Sequence, residues 1–139
     1  MWTRTYSKTV EGLTALQVWK TWTDVNQWHT WQDDVESAKL EGAFKKGGLI
    51  HFKPKGGPNI RIELTEVQPC TLFVDLTRFP LARMYDSHEL IEQGNRLEIR
   101  TTIRISGPLS FLWRKLVVND IVKSLPAQTD SLIEKTRNG

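Results

Sequence analysis

The sequence predicts one α+β domain in which a largely antiparallel sheet packs against a long C-terminal helix. Three observations predict it: a β-hairpin pattern over residues 81–105, short apolar runs separated by glycine and proline before it, and an amphipathic helical pattern after it. Such a sheet must bury one face, and the last helix is the only predicted element long enough to cover it. A chain of 139 residues has the length of one domain and buries roughly two-thirds of its unfolded surface.

The N-terminal segment predicts a strand followed by a short helix. Residues 2–10 are rich in threonine and aromatic side chains, which favour strands, and Gly12 interrupts them. Thr14 followed three residues later by Gln17 has the form of a capping box, the reciprocal pairing that begins many helices. We therefore expect a helix over residues 15–22.

A second short helical segment is expected directly after the first. Asp24 and Gln27 repeat the capping spacing, and the segment contains Trp28 and Trp31. Short helices need tertiary packing, and a tryptophan buries about 150–250 Å². We expect these tryptophans to anchor the two helices onto the sheet. In a second interpretation, Trp28 or Trp31 also forms one wall of a pocket mouth.

The middle of the chain predicts six strands. Glycine and proline separate apolar runs from Gly42 to Pro108, as turns separate strands. The predicted strands before the hairpin cover residues 35–40, 49–52, 60–67 and 72–78. The hairpin follows with strands at 81–91 and 97–105, joined by Gly94-Asn95, a pair suited to a two-residue turn.

The turn fixes the register of the hairpin. Counting back from it places Glu89 opposite Arg100 and Tyr85 opposite Arg104. Opposite charges, and a cation beside an aromatic ring, are favourable cross-strand pairs. We expect this face to point outward, with its arginines in solvent.

The other face of the hairpin mixes apolar and polar side chains. It places His88 opposite Thr101 and Asp86 opposite Ile103. Its other members are apolar: Leu90, Leu97, Ile99 and Ile105. An apolar strand face that also holds an acid, a histidine and a threonine is typical of a surface that lines a ligand cavity.

The C-terminal segment after Gly107-Pro108 predicts the covering helix. Its apolar stripe is formed by Val118, Ile121, Val122 and Leu125, extended by Phe111, Leu112, Leu132 and Ile133. Pro126 lies within the stripe and removes one backbone hydrogen bond. We expect it to kink the helix or divide it in two.

Composition excludes several classes of protein. The formal charge of +3 is small and acidic residues interrupt the basic ones, which argues against a nucleic-acid binder. No apolar run approaches the ~18 residues of a membrane span and the N-terminus has no signal-peptide core, so we expect a cytoplasmic protein. The lone Cys70 forms no internal disulfide and has no partner at metal-ligand spacing. No metal and no cofactor are expected.

Several stretches of the chain resemble a known superfamily. They are Val18-Trp19 to Trp28 with Trp31, Lys53-Pro-Lys-Gly-Gly57, Thr65-Glu-Val-Gln-Pro69, His88-Glu-Leu90 and Ser106-Gly-Pro-Leu109. With the order of elements, they resemble the polyketide cyclase/dehydrase-like branch of the SRPBCC superfamily, to which START proteins and pollen allergens belong. The resemblance covers nearly the whole chain. It implies the helix-grip fold: a seven-stranded antiparallel sheet wrapped around a long C-terminal helix, with two short helices after the first strand.

The resemblance specifies the fold better than the function, because members include lipid and hormone carriers, aromatase/cyclases and ring-hydroxylase subunits. The space between sheet and last helix is a usual place for a small-molecule site. The residues expected to line it are Trp31, Arg78, Asp86, His88, Leu90, Ile99, Thr101, Ile103, Val118 and Val122.

His88 and Asp86 are the candidates for chemistry. They stand two residues apart on one strand, so both point to the same side. In one interpretation, His88 is a general base for enolisation or dehydration. In the others, it is held by Thr101 or Asp86 for packing, or it orients a ligand. Arg78 shares its predicted face with Leu72, Val74 and Leu76, and is expected to reach a ligand carboxylate or enolate oxygen.

Three functions are compatible with these residues. The first is binding of an apolar or aromatic small molecule between sheet and helix. The second is a polyketide cyclase/dehydratase-type enzyme with a His88 base, supported electrostatically by Arg78 or Tyr85. The third is a protein-interaction module with a collapsed cavity. The sequence leaves open whether the protein is a monomer or a homodimer.

Overall fold

The computed structural model describes all 139 residues and shows the predicted α+β architecture. Its seven strands are β1 (Trp2–Glu11), β2 (Val35–Glu41), β3 (Leu49–Pro54), β4 (Ile60–Gln68), β5 (Leu72–Phe79), β6 (Ala82–Gln93) and β7 (Arg96–Ser106). They form one antiparallel sheet in the order β1-β7-β6-β5-β4-β3-β2. The first strand therefore pairs with the last, which places the long β6–β7 hairpin inside the sheet.

The predicted register of this hairpin is confirmed. Glu89 pairs with Arg100 and Tyr85 pairs with Arg104, and on the opposite face His88 lies beside Thr101. Gly94 has the positive φ, 65°, that its turn requires. Because side chains alternate along a strand, an unbroken register from the turn fixes every inward-facing position of β6 and β7.

Two short helices join β1 to β2, as predicted. The helix α1 (Ala15–Thr23) begins with the expected capping box: the Gln17 N–H donates to Thr14 Oγ1 at 3.2 Å, and the Thr14 N–H donates to Gln17 Oε1 at 2.8 Å. The second is a 3₁₀ helix (Val25–Thr30). The prediction that Asp24 caps it through its side chain is wrong, because that carboxylate makes no capping bond and the Asp24 backbone carbonyl accepts from Gln27 instead.

The C-terminal helix consists of three consecutive segments: α2 (Ser110–Trp113), one π-helical turn (Arg114–Val118) and α3 (Asn119–Asn138). It continues through Pro126 without a break, so the predicted division is not found. Buried Leu125 and Thr129 on either side of the proline hold this part of the helix in the core.

The apolar stripe of the helix is shorter than predicted. Phe111 and Leu112 were expected to extend it, yet both are exposed, whereas Val118 is fully buried. The π turn between them holds an extra residue, which rotates the residues before it relative to those after it. No helix in the structure is long and apolar enough to span a bilayer.

The buried apolar side chains form two clusters on the inner side of the sheet. The larger cluster contains all four tryptophans of the short-helix region, together with Phe73, Leu90, Ile99 and Leu132 among others. The smaller cluster consists of Ala82, Met84, Ile103, Ile105, Val118 and Leu125. The strand register places the smaller cluster toward the β5–β6 turn and the larger one toward the β6–β7 turn.

The cap of α1 gives a test of this local account. We expect Thr14→Ala to lower the free energy of unfolding by about 1 kcal/mol, because it leaves a helix N–H without its acceptor. Asp24→Ala, at the start of the 3₁₀ helix, removes no side-chain cap and is expected to cost less. Urea unfolding followed by tryptophan fluorescence measures both. Equal losses would contradict the assignment of the cap to Thr14.

Candidate functional site

A group of polar side chains crosses the inner face of the sheet between the two apolar clusters. It consists of Asp75 on β5, Asp86 and His88 on β6, and Thr101 on β7, and we call it the polar belt. Asp75 pairs with Asp86 in the β5–β6 register, and His88 lies beside Thr101 in the β6–β7 register. The belt is therefore built by strand alternation across three adjacent strands.

The imidazole of His88 lies between two carboxylates. Its Nε2 atom is 3.2 Å from Asp86 Oδ1 and 3.4 Å from Asp75 Oδ2. The three side chains are mostly buried, with 12% of His88, 18% of Asp86 and 9% of Asp75 exposed. Asp86 Oδ1 is buried and accepts no well-aligned hydrogen bond. The interaction with His88 is thus an ion pair that leaves one buried acceptor open.

Aromatic rings enclose this ion pair on the side of the larger cluster. The His88 ring stacks on Phe73 with centroids 4.3 Å apart and an angle of 19° between the planes. Trp22 of α1 meets His88 edge-on at 5.6 Å. Trp19 and Phe44 pack in turn against Phe73. The helix α1 and the loop after β2 therefore form the aromatic wall of the belt.

The surroundings set the charges of the belt. Burial lowers the pKa of His88. The negative charges of Asp86 and Asp75, and the contacts of the ring with both carboxylates, raise it by more, so that the pKa is about 10. Burial raises the pKa of Asp75, and repulsion by Asp86 raises it further. The contact with His88 lowers it in part, and the resulting pKa is about 6. Near neutral pH the belt accordingly holds an imidazolium ion beside carboxylates.

This charge state changes the predicted chemistry. The raised pKa of His88 favours a protonated ring, which acts as a proton donor rather than as the general base of the sequence-based interpretation. Asp75, with a pKa of about 6, is the better proton acceptor at neutral pH. The three ligand atoms of Asp75, Asp86 and His88 also lie within 4.8 Å of one another, a spacing at which they can share a bound cation once His88 loses its proton.

Most of the residues predicted to line the site point to the interior. Leu90, Ile99 and Trp31 lie in the larger cluster, and Ile103 and Val118 lie in the smaller one, against which Val122 packs. The indole Nε1 of Trp31 is buried without a hydrogen-bond partner. These side chains thus surround the belt from both clusters, although they lie at different distances along the sheet.

Arg78 is the exception, and the prediction that it reaches the interior is wrong. Phe73 and Asp75 point inward, so the alternate residues of β5 that include Arg78 point outward. The Arg78 side chain is 60% exposed and Nη1 donates to Glu63 Oε2 at 2.8 Å. Its place in the site is taken by Asp75, which the sequence analysis did not identify.

Two clefts of the surface lie away from the belt. One is formed beside the β5–β6 turn and the other between β1 and the end of α3. The belt side chains are mostly buried, and the aromatic wall lies over them. A ligand that reaches the belt has to displace covering side chains.

Known structures share this fold over almost the whole chain. A hypothetical protein, jhp0584, from Helicobacter pylori superposes with a TM-score of 0.77 at 16% identity, over 96% of this chain and 87% of its own. The Zhui aromatase/cyclase from Streptomyces sp. R1128 superposes with a TM-score of 0.74 at 11% identity, over 98% of this chain and 94% of its own. Norcoclaurine synthase from Thalictrum flavum, in complex with dopamine and hydroxybenzaldehyde, superposes with a TM-score of 0.72 at 13% identity, over 99% of this chain and 88% of its own.

The likeness to these neighbours shows that this chain has the helix-grip fold. At such low identity it shows the fold alone. No protein-family model and no curated protein matches the sequence.

The charge of the belt predicts how stability depends on pH. The folded state keeps a proton on His88 that the unfolded chain loses above its ordinary pKa of 6.5, so the stabilisation is complete below 6.5 and is lost as pH rises to about 10. The raised pKa of Asp75 acts in the same direction, because its contribution to stability is lost as pH rises from 3.8 to about 6. We expect the free energy of unfolding, measured in urea, to fall between pH 6.5 and 10.

A His88→Gln variant separates this effect from other titrations. It should unfold more easily at pH 6.5 and show a smaller decrease toward pH 10, because glutamine carries no titrating group. His29→Gln, at an exposed position, is the matched control and should keep the wild-type slope. Parallel curves for the wild type and His88→Gln would refute the assignment.

Proposed function

We propose that the protein binds a small aromatic or apolar molecule that carries a hydrogen-bond donor, with the donor at the polar belt. The observation that carries the proposal is the open acceptor Asp86 Oδ1, which is buried beside His88 within an aromatic enclosure. Asp86 Oδ1 already has the charge of His88 at 3.2 Å, but a carboxylate oxygen can accept a further hydrogen bond. A ligand O–H or N–H directed at this oxygen would supply one, and a hydrogen bond to a charged group contributes about 1.5–3 kcal/mol.

The apolar part of such a ligand has suitable surfaces on both sides of the belt. Phe73 and Trp22 offer ring faces and edges, and Ile99 and Ile103 offer aliphatic surface. Burial of apolar area contributes roughly 25 cal/mol per Å², so ring contact supplies the affinity and the belt supplies orientation. The helix-grip fold places this surface beneath the C-terminal helix.

Acid–base catalysis is the second candidate function. It is favoured by a specific pair: His88 as a buried proton donor and Asp75 with a pKa of about 6, both at one place. This pair suits a dehydration or an aromatising cyclisation, in which one carbon loses a proton and an oxygen gains one. Among the structural neighbours are an aromatase/cyclase and a synthase of another class.

Binding is tested with a matched pair of probes, naphthalene and 2-naphthol. They share an aromatic body and differ by one hydroxyl donor. We expect 2-naphthol to bind the wild type roughly tenfold more tightly, because its hydroxyl reaches a charged acceptor. Asp86→Asn is expected to remove most of that preference while leaving naphthalene binding nearly unchanged. Isothermal titration calorimetry measures both affinities.

Two further variants complete the experiment. Asp33→Asn, at an exposed position, is the control and should keep the preference. Ile99→Phe, which adds volume to a fully buried position, should weaken both probes together. If neither probe binds, and the freshly purified protein shows no bound molecule by native mass spectrometry, the ligand proposal fails and the interaction-module alternative gains.

Catalysis and binding are distinguished by His88 and a turnover assay on an aromatising polyketide-type substrate. If the protein is an enzyme, His88→Gln is expected to reduce kcat by about a hundredfold or more while the substrate affinity changes only a few-fold. If the protein only binds, the wild type gives no turnover and His88→Gln lowers affinity. Equal turnover in both proteins would exclude His88 as the proton donor.

A further inference from the structure

Exposed apolar side chains gather at one end of the molecule. Leu81, in the β5–β6 turn, is 64% exposed, and Phe111, Leu112 and Leu116, at the start of the C-terminal helix, are 62%, 38% and 58% exposed. These are four of the six exposed large hydrophobic residues of the chain. Their clustering, rather than their number, distinguishes them from the scattered apolar residues of an ordinary surface.

The turn and the helix start form one unit. The Leu109 N–H donates to the carbonyl of Leu81 at 3.0 Å, and Trp113 Nε1 donates to the carbonyl of Pro80 at 2.8 Å. The rings of Trp113 and Phe79 stack with centroids 4.8 Å apart. The β5–β6 turn and the start of the C-terminal helix, which carry the exposed apolar residues, are therefore fixed next to each other.

The backbone is strained where it presents Leu81. This leucine has a φ of 55°, in the left-handed region that favours glycine. Gly107 packs directly on it, so that a Cβ atom at position 107 would lie 2.6 Å from the Leu81 carbonyl oxygen. The turn requires a positive φ at this position, and the residue that occupies it is an exposed leucine instead of the usual glycine.

Basic residues surround these apolar side chains. Residues 78–85 and 106–118 contain Arg78, Arg83, Arg114 and Lys115 and no acidic residue. Arg78 and Arg83 are paired across β5 and β6, and they line a cleft of about 450 Å³ beside Leu81. Two acidic residues lie just outside these segments: Glu63 pairs with Arg78, and Asp120 follows Leu116 by one helical turn.

We propose that this apolar–basic end, formed by residues 78–85 and 106–118, docks on the surface of an anionic lipid bilayer. Phe111, Leu116 and Leu81 enter the boundary between headgroups and acyl chains, and the basic residues lie at the level of the lipid phosphates. The docking is peripheral and reversible.

Charge complementarity selects this occupant. A second copy of the chain would bring two basic rims together and repel, which disfavours a dimer through this end. A purely apolar partner would leave Arg83 and Lys115 unpaired in the interface. An anionic bilayer satisfies both the apolar residues and the cations. The inference does not depend on the polar belt.

The test is co-sedimentation of the full chain with lipid vesicles. We expect binding to phosphatidylcholine vesicles that contain phosphatidylglycerol, weaker binding at high salt, and little binding to pure phosphatidylcholine. Each basic residue near the surface contributes roughly a fivefold change in partitioning. Arg114→Glu with Lys115→Glu is therefore expected to reduce binding at least tenfold, and Phe111→Ser several-fold.

Matched variants elsewhere on the surface are the controls. Lys45→Glu with Lys46→Glu reverses two exposed neighbouring lysines between β2 and β3, and Leu16→Ser removes an exposed leucine of α1. Both should bind as the wild type does. The proposal is overturned if the wild type does not bind anionic vesicles, if neutral vesicles bind it equally, or if the controls lose as much as the variants at the apolar–basic end. A dimer lost in Phe111→Ser, without vesicle binding, would overturn it in favour of self-association.

Discussion

The fold is arranged around a positive charge buried between two carboxylates on the inner face of the sheet. A lone ion in an apolar interior costs several kcal/mol, so His88 and its two aspartates are tolerable only together. Their enclosure in turn requires aromatic surface at this place. Phe73 supplies it from the sheet, and Trp22 supplies it from α1. Trp22 reaches the ion pair because α1 lies over it, so the capping box that begins α1 also supports this enclosure.

The polar belt also explains why the interior is divided. With charged and hydroxyl groups across the middle of three strands, apolar contacts cannot run continuously along the sheet, and two clusters result. The C-terminal helix bridges them, with Leu125 in the smaller cluster, Leu132 in the larger one, and buried Thr129 between. A helix that must contact both clusters has to be long and unbroken, and the packing on either side of Pro126 maintains it.

The fold and half of the site were predictable because local signals fixed them. Gly94-Asn95 sets the hairpin register, which correctly placed Asp86 and His88 together on the inner face. The neighbouring strand lacked such a signal. β5 is buried on both faces, so alternation did not reveal that Asp75 points inward and Arg78 outward, and the turn before β6 holds a leucine where glycine is usual. The π turn likewise has no sequence signature, which is why Phe111 was assigned to the core.

The β5–β6 hairpin connects the two proposed surfaces. Asp75 and Asp86 lie opposite each other in its middle, and the Phe79–Ala82 pair closes it at the turn, four residues away, or about 13 Å along a strand. The smaller apolar cluster fills the space between, beneath the π turn of the helix. Turns of this kind are rare and are frequently found at functional sites. An apolar molecule that approached from the turn would therefore have to displace side chains of this cluster before it reached Asp86. The same hairpin would carry a ligand's point of entry and its point of recognition.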